Sequence, residues 1–275
     1  SMYTEYQPSH LLVPYIDSYW EFKGNPDYGM RIHILPDGCT DFIFTLGEVA
    51  NAVEEGSLIM QPYRSYFVGP MTKYSELVTY TESIHMFGVR FLPCGLSCFT
   101  NLPLHEFVNS RVSTNEMKAV FDDTFIEKLG EQKHVTDRIR VVEEYLLAYL
   151  ARHYQPADSH VAMAVNMINH SKGKRSVRSL MDDVCLCQRH FERKFKHYTG
   201  FTPKEYSRIV KFKNAVELLR TTTSANLLTT AVDAGYYDLA HFSKEIKSMS
   251  GNTPASFLSL TVPEETTLTY IEPQR

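Results

Sequence analysis

The sequence lacks any apolar run approaching the roughly 18 residues that a membrane-spanning helix needs. It shows no amino-terminal signal peptide either. Five cysteines are present, and an odd number without regular spacing is unlike the framework of a disulfide-stabilised secreted domain. These absences predict a cytoplasmic protein that has no membrane partner.

Signatures of catalysis are also missing: there is no Gly-rich phosphate loop, no Ser-x-x-Lys and no Gly-x-Ser-x-Gly. Cys94 and Cys98 stand four residues apart, with Cys39 and His85 in the same half, but the close ligand pairs typical of zinc sites are absent. His33 and His85 do not form the His-x-His…Glu…His pattern of metal-binding β-barrel enzymes. We therefore predict no catalytic residue, no metal and no cofactor, and interpret the cysteines as buried small apolar side chains.

Charge is distributed unevenly along the 275 residues, although the net charge is only −4. Residues 157–260 carry 15 Lys and Arg against 9 Asp and Glu, whereas residues 1–156 carry 12 against 20. The length suits two domains, each large enough for its own core. A basic half beside an acidic half indicates that only the C-terminal half binds a polyanion.

The C-terminal half contains the same unit twice, offset by 51 positions. A repeat of this length is typical of a duplicated supersecondary unit. The matching pairs are His190-Phe191 with His241-Phe242, Lys196 with Lys247, Gly200 with Gly251, Thr202-Pro203 with Thr253-Pro254, Asp182 with Asp233, and Arg193 with Lys244.

Each copy is predicted to form a helix, a tight turn and a second helix. The first copy has helices at Val177–Val184 and at residues 188–198. The second has them at residues 229–234 and 239–249, separated by Gly235. Paired short helices of this kind are the helix-turn-helix pattern, whose second helix enters the DNA major groove.

Helical spacing of about 100° per residue predicts which side chains face outward. Phe191 and Phe195 in the first copy, and Phe242 and Ile246 in the second, take the core side. Arginine on the outer side suits guanine, and lysines and hydroxyls suit phosphates. The predicted DNA-contacting residues are Gln188, Arg189, His190, Glu192, Arg193 and Lys196 in the first copy, and Leu239, Ala240, His241, Ser243, Lys244 and Lys247 in the second.

Between the copies, Thr202-Pro203-Lys204-Glu205 is a capping box with proline at the first helical position. The helix that follows runs to about Arg220, and some 18 residues at ~1.5 Å each give a rod of roughly 27 Å. Such a rod would hold two recognition helices about one turn of B-DNA apart, ~34 Å.

These motifs resemble the AraC/XylS transcription regulators over roughly residues 157–260. The matching features are His-Phe-x-Arg-Lys-Phe-Lys from His190, Ala231 to Tyr236 with Ala-Gly-Tyr at its end, His241-Phe242-Ser243, and the closing Gly-x-Thr-Pro. The first unit departs at Cys187, where a serine would cap the helix. The resemblance implies promoter DNA as a partner, with RNA polymerase as a further candidate partner.

The N-terminal half is predicted to be β-rich. Met30 to Leu35 and Asp41 to Leu46 flank the turn Pro36-Asp37-Gly38, which is a hairpin signal. Short strands of this kind suggest a small barrel or sandwich, and Gly69-Pro70 with the Pro-Asp-Gly turn resembles the cupin-like sensory domains attached to many such regulators. Further strands are predicted at residues 58–60, 65–68, 77–81 and 85–91.

We expect an α+β multidomain fold: an N-terminal β-rich, cupin-like barrel plus helices, and a C-terminal all-α domain of two helix-turn-helix units joined by a long helix. Residues 1–152 form the sensory or dimerisation domain, β-rich over 1–96 and helical over 97–152. The linker is 153–158, the DNA-binding domain is 159–260, and residues 261–275 form a surface tail.

Residues 114–121, 125–129 and 135–152 are predicted helices. The last has apolar residues at helical spacing, which is consistent with packing on its own domain or with pairing in a homodimer. Both interpretations stay open.

Five polar residues on or beside predicted strands are candidates for binding a small-molecule effector, because a polar side chain inside a barrel needs a partner. Arg90 stands out, since Val89 and Phe91 flank it. The predicted effector-binding residues are Arg31, His33, Asp41, Tyr66 and Arg90.

The sequence thus indicates a transcription regulator with an effector-sensing N-terminal domain. Two alternatives remain: an N-terminal half that only dimerises or contacts another protein, and a cupin-type enzyme fused to a DNA-binding module.

Overall fold

The computed structural model describes residues 2–52, 58–118, 120–184, 187–221, 226–258 and 269–271. No helix in these ranges is both long and apolar enough to cross a membrane. The strands are β1 (Tyr3–Tyr6), β2 (Ile16–Gly24), β3 (Met30–Ile34), β4 (Thr40–Thr45), β5 (Asn51–Ala52), β6 (Ser65–Val68), β7 (Ser75–Thr79), β8 (Ile84–Phe91), β9 (Arg111–Ser113) and β10 (Thr269–Ile271). The helices are α1 (Asp123–Gly130), α2 (Val135–Arg152), α3 (Ser159–His170), α4 (Val177–Val184), α5 (Gln188–Thr199), α6 (Pro203–Arg220), α7 (Leu227–Asp233), α8 (Leu239–Ser250) and α9 (Pro254–Leu258).

The N-terminal strands form two antiparallel sheets, ordered β1-β2-β8-β4-β6-β9 and β10-β3-β7-β5. Side chains alternate across the larger sheet, so that Phe42 and Phe44 lie on one face while Asp41 and Ile43 lie on the other. The prediction of a β-rich half followed by helices is confirmed, and its strands form two open antiparallel sheets.

Each face of the larger sheet has its own apolar core. The face with Phe42 and Phe87 packs beneath α1 and α2, which contribute Leu129, Val142 and Leu146. The opposite face contacts the smaller sheet through a second cluster that includes Trp20, Ile43, Met86, Ile32 and Leu77. The predicted bounds of α2 are confirmed, and α2 packs on its own domain; its pairing in a homodimer stays a prediction.

The predicted hairpin between Met30 and Leu46 is wrong. β3 pairs with β7 and β10 in the smaller sheet, whereas β4 pairs with β6 and β8 in the larger one. The turn carries the chain from one sheet to the other, because Gly38 has φ +82° and the Asp37 carboxylate accepts a hydrogen bond from Cys39 N at 2.8 Å. The Pro-Asp-Gly signal was therefore a turn, but not a hairpin turn.

Other local predictions also differ from the structure. Residues 58–60 form no strand, and among the described residues of the predicted 114–121 helix only Thr114–Glu116 is helical, as a single 3-10 turn. Helix α1 begins at Asp123, before the predicted start at residue 125, because Asp122 caps it, accepting from Phe125 N at 3.0 Å. Strands β1 and β9 and helix α3 were not predicted. Residues 269–271 of the predicted tail pair with β3.

The duplicated units end their second helices in the same way. Thr199 Oγ1 donates to Phe195 O at 2.7 Å, and its counterpart Ser250 donates to Ile246 O at 2.6 Å. Each hydroxyl also accepts from the amide two residues later at 3.1 Å. The following glycines have left-handed φ angles of 84° and 81°. The sequence repeat is therefore a repeat of hydrogen bonds as well.

Helix α6 connects the two units and contacts α3, α4, α5, α7, α8 and α9. The predicted capping box is confirmed: Thr202 N donates to Glu205 Oε1 at 2.9 Å, and Glu205 N donates to Thr202 Oγ1 at 3.1 Å. Its 18 residues give a rod of about 27 Å. The relative placement of the two units is thus fixed by one buried helix.

The two halves of the chain share part of one core. Leu35 and Cys94 from the N-terminal half lie in the same apolar cluster as the helices of the C-terminal half. The approach is close at the 36–38 turn, where a Cβ on Gly38 would lie 2.8 Å from the Tyr206 ring of α6. Near the end of α5, His197 Nε2 lies 3.1 Å from Asn101 Oδ1. The N-terminal half therefore contacts both the connecting helix and the first recognition helix.

Candidate nucleic-acid interface and ligand cavity

Helix α5 presents a basic face to solvent. Phe191 and Phe195 are fully buried and hold the helix against the domain core. Of the six predicted DNA-contacting residues on this helix, four are exposed and two are half-buried. The exposed ones are Gln188, Arg189, Arg193 and Lys196, and the half-buried ones are His190 and Glu192.

Helix α8 repeats this arrangement with a different set of side chains. Phe242 and Ile246 are buried as anchors. The helix is capped by Asp238, whose carboxylate accepts from His241 N at 2.7 Å. The exposed members of the predicted set are Leu239, Ala240, His241, Lys244 and Lys247, and Ser243 is half-buried.

The polar side chains of α5 are already ordered by contacts within the helix. Gln188 Nε2 donates to Glu192 Oε1 at 3.2 Å, and Arg193 Nη2 lies 3.1 Å from His190 Nδ1. A guanidinium carries five N–H donors, so one contact with His190 leaves Arg193 able to form a bidentate pair with guanine. The helix thus offers a positioned arginine and a second one, Arg189, four residues before it.

The two recognition helices differ in how well their N-termini are capped. Cys187 stands at the N-cap of α5 with φ −57° and ψ 128°, but its side chain makes no capping hydrogen bond. Thiols are weak hydrogen-bond acceptors, whereas Asp238 caps α8 with a carboxylate. Residues 185 and 186, in the predicted tight turn between α4 and α5, lie outside the described residues.

We expect Cys187→Ser to raise the free energy of unfolding by a few tenths to ~1 kcal/mol, because a serine hydroxyl accepts from the free amides of the first turn. Chemical denaturation of the variant and the wild type would measure the change. Asp238→Ala is the matched control and should lower the free energy by about 0.5–2 kcal/mol. An unchanged or lower stability in the serine variant would contradict the interpretation of this cap.

A row of cross-strand partners runs over the face of the larger sheet that looks toward the smaller one. Ser18 on β2 lies opposite Arg90 on β8, which lies opposite Asp41 on β4. Asp41 in turn lies opposite Val68 on β6, and Val68 lies opposite Arg111 on β9. The register therefore places two arginines and an aspartate on one line inside the sandwich.

Arg90 is the centre of a buried charge cluster. Its guanidinium lies 3.1 Å from Glu5, 3.3 Å from Asp41, 3.4 Å from Asp37 and 3.9 Å from Asp17. Its side chain is only 9% exposed. Such a charge is tolerated in a low-dielectric interior because acidic groups surround it.

Two side chains of the larger sheet, Trp20 on β2 and Arg90 on β8, hold Asp41. Trp20 Nε1 donates to its carboxylate at 2.7 Å, and Arg90 Nε lies within 3.4 Å of both carboxylate oxygens. Burial nevertheless raises the pKa of Asp41 to about 6, although Arg90 opposes that shift, and the nearby Asp37 adds to it. This pKa places the protonation of Asp41 close to neutral pH.

The charge cluster borders an internal cavity of about 50 Å³ between the sheets. At ~10–15 Å³ per water-sized probe, this space holds a few water molecules or a ligand of a few heavy atoms. Its polar lining includes Asp37, Asp41, Arg90 and Arg111. Its apolar lining includes Ile32, Leu35, Ile43, Val68, Leu77 and Met86.

The structure brings together two of the five predicted effector-binding residues. Asp41 and Arg90 line the cavity. Arg31 is exposed and pairs with Glu76 on the neighbouring strand. Tyr66 is buried but accepts from Gln61 N at 2.6 Å, and His33 stacks on Tyr74; neither lines the cavity.

Sequence reasoning missed Asp37, Glu5 and Arg111 as members of this site. Asp37 was visible only as a turn residue, since its distance from Arg90 depends on the path between the two sheets. Glu5 and Arg111 lie on β1 and β9, which were not predicted as strands. Only the pairing of the strands reveals that these residues belong to one site.

The cysteine and histidine residues of the N-terminal half do not assemble in the described ranges. Across those ranges no three His, Cys, Asp or Glu side chains are placed to hold a metal ion. His85 Nε2 lies 3.0 Å from Glu21, which also accepts from Arg138 at 3.0 Å. Cys39, Cys94 and Cys98 are buried and free, in agreement with their interpretation as small core side chains.

Comparison with known families separates the two halves. Residues 180–259 match the family described as a helix-turn-helix domain. Residues 4–113 match a domain of unknown function (DUF6597). No curated protein matches the chain.

One solved structure shares the fold of this chain, and others are similar in part. ToxT from Vibrio cholerae aligns with a TM-score of 0.52 at 9% identity, over 88% of this chain and 98% of that chain. ToxT from Vibrio cholerae O395 gives a TM-score of 0.49 at 9% identity, over 87% and 96%. The xylose-binding transcription activator XylR is 25% identical over 39% of this chain and 28% of that chain, with a TM-score of 0.34.

The resemblance to AraC/XylS regulators is confirmed for the C-terminal half, where the family match coincides with two helix pairs joined by α6 and terminated by the same hydrogen bonds. Residues 180–259 are therefore an AraC-type helix-turn-helix DNA-binding domain, and residues 4–113 of the same chain match a domain of unknown function.

Proposed function

We propose that this protein is a sequence-specific regulator of transcription, which binds promoter DNA through α5 and α8 and responds to a small molecule held between the N-terminal sheets. The observation that carries the proposal is the pair of exposed recognition helices fixed on one buried helix, α6. A rod of about 27 Å suits two successive major-groove segments, whose centres lie ~34 Å apart. RNA polymerase is a further proposed partner.

In this proposal the two recognition helices contact different parts of the DNA. Helix α5 offers Arg189 and Arg193, which suit base edges, whereas the exposed basic residues of α8 are Lys244 and Lys247. Lysine contacts phosphate as a point charge. The first unit therefore supplies most direct base readout, and the second positions the protein on the backbone.

Alanine variants on a selected binding site test this function. We expect Arg193→Ala to weaken binding by about 1–3 kcal/mol and to relax the preference at one base position, as for a base-edge arginine. Lys247→Ala should weaken all sequences more evenly, because it removes a phosphate contact. Binding of both variants to a panel of single-base operator mutants would be measured by fluorescence anisotropy.

A matched pair tests the division between the helices. If base preference changed in Lys244→Ala and not in Arg189→Ala, the roles of the two units would be reversed. If full-length protein showed no preference among DNA sequences, the proposal of sequence-specific regulation would be wrong.

The path from the cavity to the DNA-binding domain is short. Leu35, Asp37 and Cys39 line the cavity, and Gly38 between them contacts Tyr206 of α6. The pKa of Lys213 on α6 is raised overall. Burial alone would lower this pKa, but the nearby acidic groups of Cys39, Asp37 and Asp17 outweigh that effect. A ligand that binds one arrangement of residues 35–39 better than another would shift the position of α6.

Thermal melting across a set of metabolites separates this proposal from a ligand-free sensor. A stabilising ligand supports effector binding, since a ligand of the folded state raises the melting temperature. A dimer without any ligand response would favour an N-terminal half that only dimerises or contacts a protein partner.

A further inference from the structure

We propose that Arg111 is the anchor of the effector site, and that it takes the carboxylate of a small ligand with a short apolar body. This inference rests on the proposed function and specifies the ligand class of its cavity. Arg111 is not among the residues that sequence patterns select, because its role depends on the register of β9.

The register separates Arg111 from the acidic cluster around Arg90. Neighbouring strands lie ~4.8 Å apart, so Arg111 stands roughly 10 Å from Asp41 and roughly 15 Å from Arg90 along the cross-strand row. Glu5, Asp17, Asp37 and Asp41 all gather at Arg90. The two arginines on one line thus have different surroundings.

Arg111 is half-buried, and its guanidinium is not fully paired. Its Nε is buried and has no hydrogen-bond partner in the part of the chain that the structure describes. Burial lowers the pKa of Arg111 to about 10, a shift that Asp41 partly opposes. The side chain therefore remains a cation at neutral pH, and a buried charged donor without an acceptor is unfavourable until an acceptor binds there.

The surroundings of Arg111 define the rest of the ligand. Val68 lies beside it on β6, and Ile43, Leu77 and Met86 line the same cavity. An inorganic anion would leave this apolar wall unused, whereas a carboxylate on a few carbons would meet both the guanidinium and the wall. The volume of about 50 Å³ limits the body to a few heavy atoms.

Binding of such a ligand also has a route to the rest of the molecule. Leu35 lines the cavity and belongs at the same time to the apolar core of the C-terminal half. A ligand body in contact with Leu35 therefore touches the boundary between the two halves.

Calorimetric titration of the full chain without DNA tests the proposal, with acetate, butyrate, hexanoate and benzoate as probes. Butyramide is the neutral counterpart of butyrate, and chloride and phosphate are the inorganic anions. We expect at least one carboxylate to bind, and its amide to bind roughly 10–100-fold more weakly, since a charge-assisted hydrogen bond is lost.

Three variants and one control test the contribution of individual residues. Arg111→Met should weaken binding of that carboxylate roughly 10–100-fold. Val68→Phe, which fills the cavity and keeps the charge, should do the same if it folds, and Arg111→Lys should retain weaker binding. Arg31→Met, an exposed arginine on β3, is the control that should bind as the wild type does.

Three outcomes would overturn the proposal: no carboxylate binds, butyramide binds as well as butyrate, or chloride and phosphate bind as well as the carboxylates. Equal affinity of wild type and Arg111→Met would overturn the residue assignment. Because DNA is absent from these titrations, their failure leaves the DNA-binding proposal intact, and loss of DNA binding leaves this one intact.

Discussion

Arg90→Met should lower the free energy of unfolding by about 3–5 kcal/mol, the range found when one partner of a buried ion pair is removed. The guanidinium lies within 3.4 Å of Asp41 and Asp37 and 3.1 Å from Glu5. Methionine preserves the apolar stem of the side chain but leaves these carboxylates without a cation. Denaturant unfolding at pH 7 would measure the loss.

The loss should depend on pH. The folded-state pKa of Asp41 is about 6, above the ordinary value of an aspartate, so its contribution to stability is present at low pH and declines as pH rises through 6. Removing Arg90 takes away the cation that opposes this shift and raises the folded-state pKa further. The difference between variant and wild type should therefore grow from pH 4 to pH 8.

Arg31→Met is the matched control. Arg31 pairs with Glu76 on the outside of the smaller sheet, and its side chain is 45% exposed. An exposed pair contributes about 0–1 kcal/mol. Comparable losses in the two variants would show that the buried cluster is not the source of the stability assigned to it.

DNA binding by the full chain should weaken by roughly 10³–10⁵-fold between about 50 and 200 mM salt, as for a protein that contacts six to ten phosphates. Residues 157–260 hold 15 Lys and Arg, and exposed Arg189, Lys196, Lys244 and Lys247 lie on the two recognition helices. Each phosphate contact releases counterions into the solution. Anisotropy titrations at four salt concentrations would give the slope.

A fragment of residues 156–260 should bind DNA with the same salt slope, because the acidic half of the chain contributes no phosphate contacts. Circular dichroism should first show that this fragment is helical. Salt-insensitive binding, or a folded fragment without affinity for any DNA, would argue against the assignment of this domain.

The C-terminal domain could be predicted from sequence because its signals are local. Capping by Asp238, the capping box at Thr202 and the glycines after α5 and α8 each act within a few residues. Because the two units match at an offset of 51 positions, a prediction made for one unit also applied to the other. Helices α3 and α9 were missed, although Asp158 caps α3 by accepting from Val161 N at 3.1 Å.

The N-terminal cavity could not be predicted in the same way because its members meet through strand pairing. Asp41 and Arg90 were identified as polar residues in strands, but Arg31 obeys the same pattern and faces solvent. Whether a strand residue points inward depends on which sheet the strand joins. The wrong hairpin at Pro36 shows the consequence, since it placed β3 beside β4 instead of across the sandwich.

The core shared by the two halves limits how freely such regulators exchange parts. Leu35 and Cys94 pack among the helices of the DNA-binding domain, and Gly38 leaves no space for a larger residue beside Tyr206. A chimera that joins this DNA-binding domain to an unrelated sensor would bury mismatched side chains at that contact. We therefore expect functional hybrids only where residues 35–39 and α6 come from the same parent protein. The boundary for recombination then lies inside the sensor domain and not at the linker.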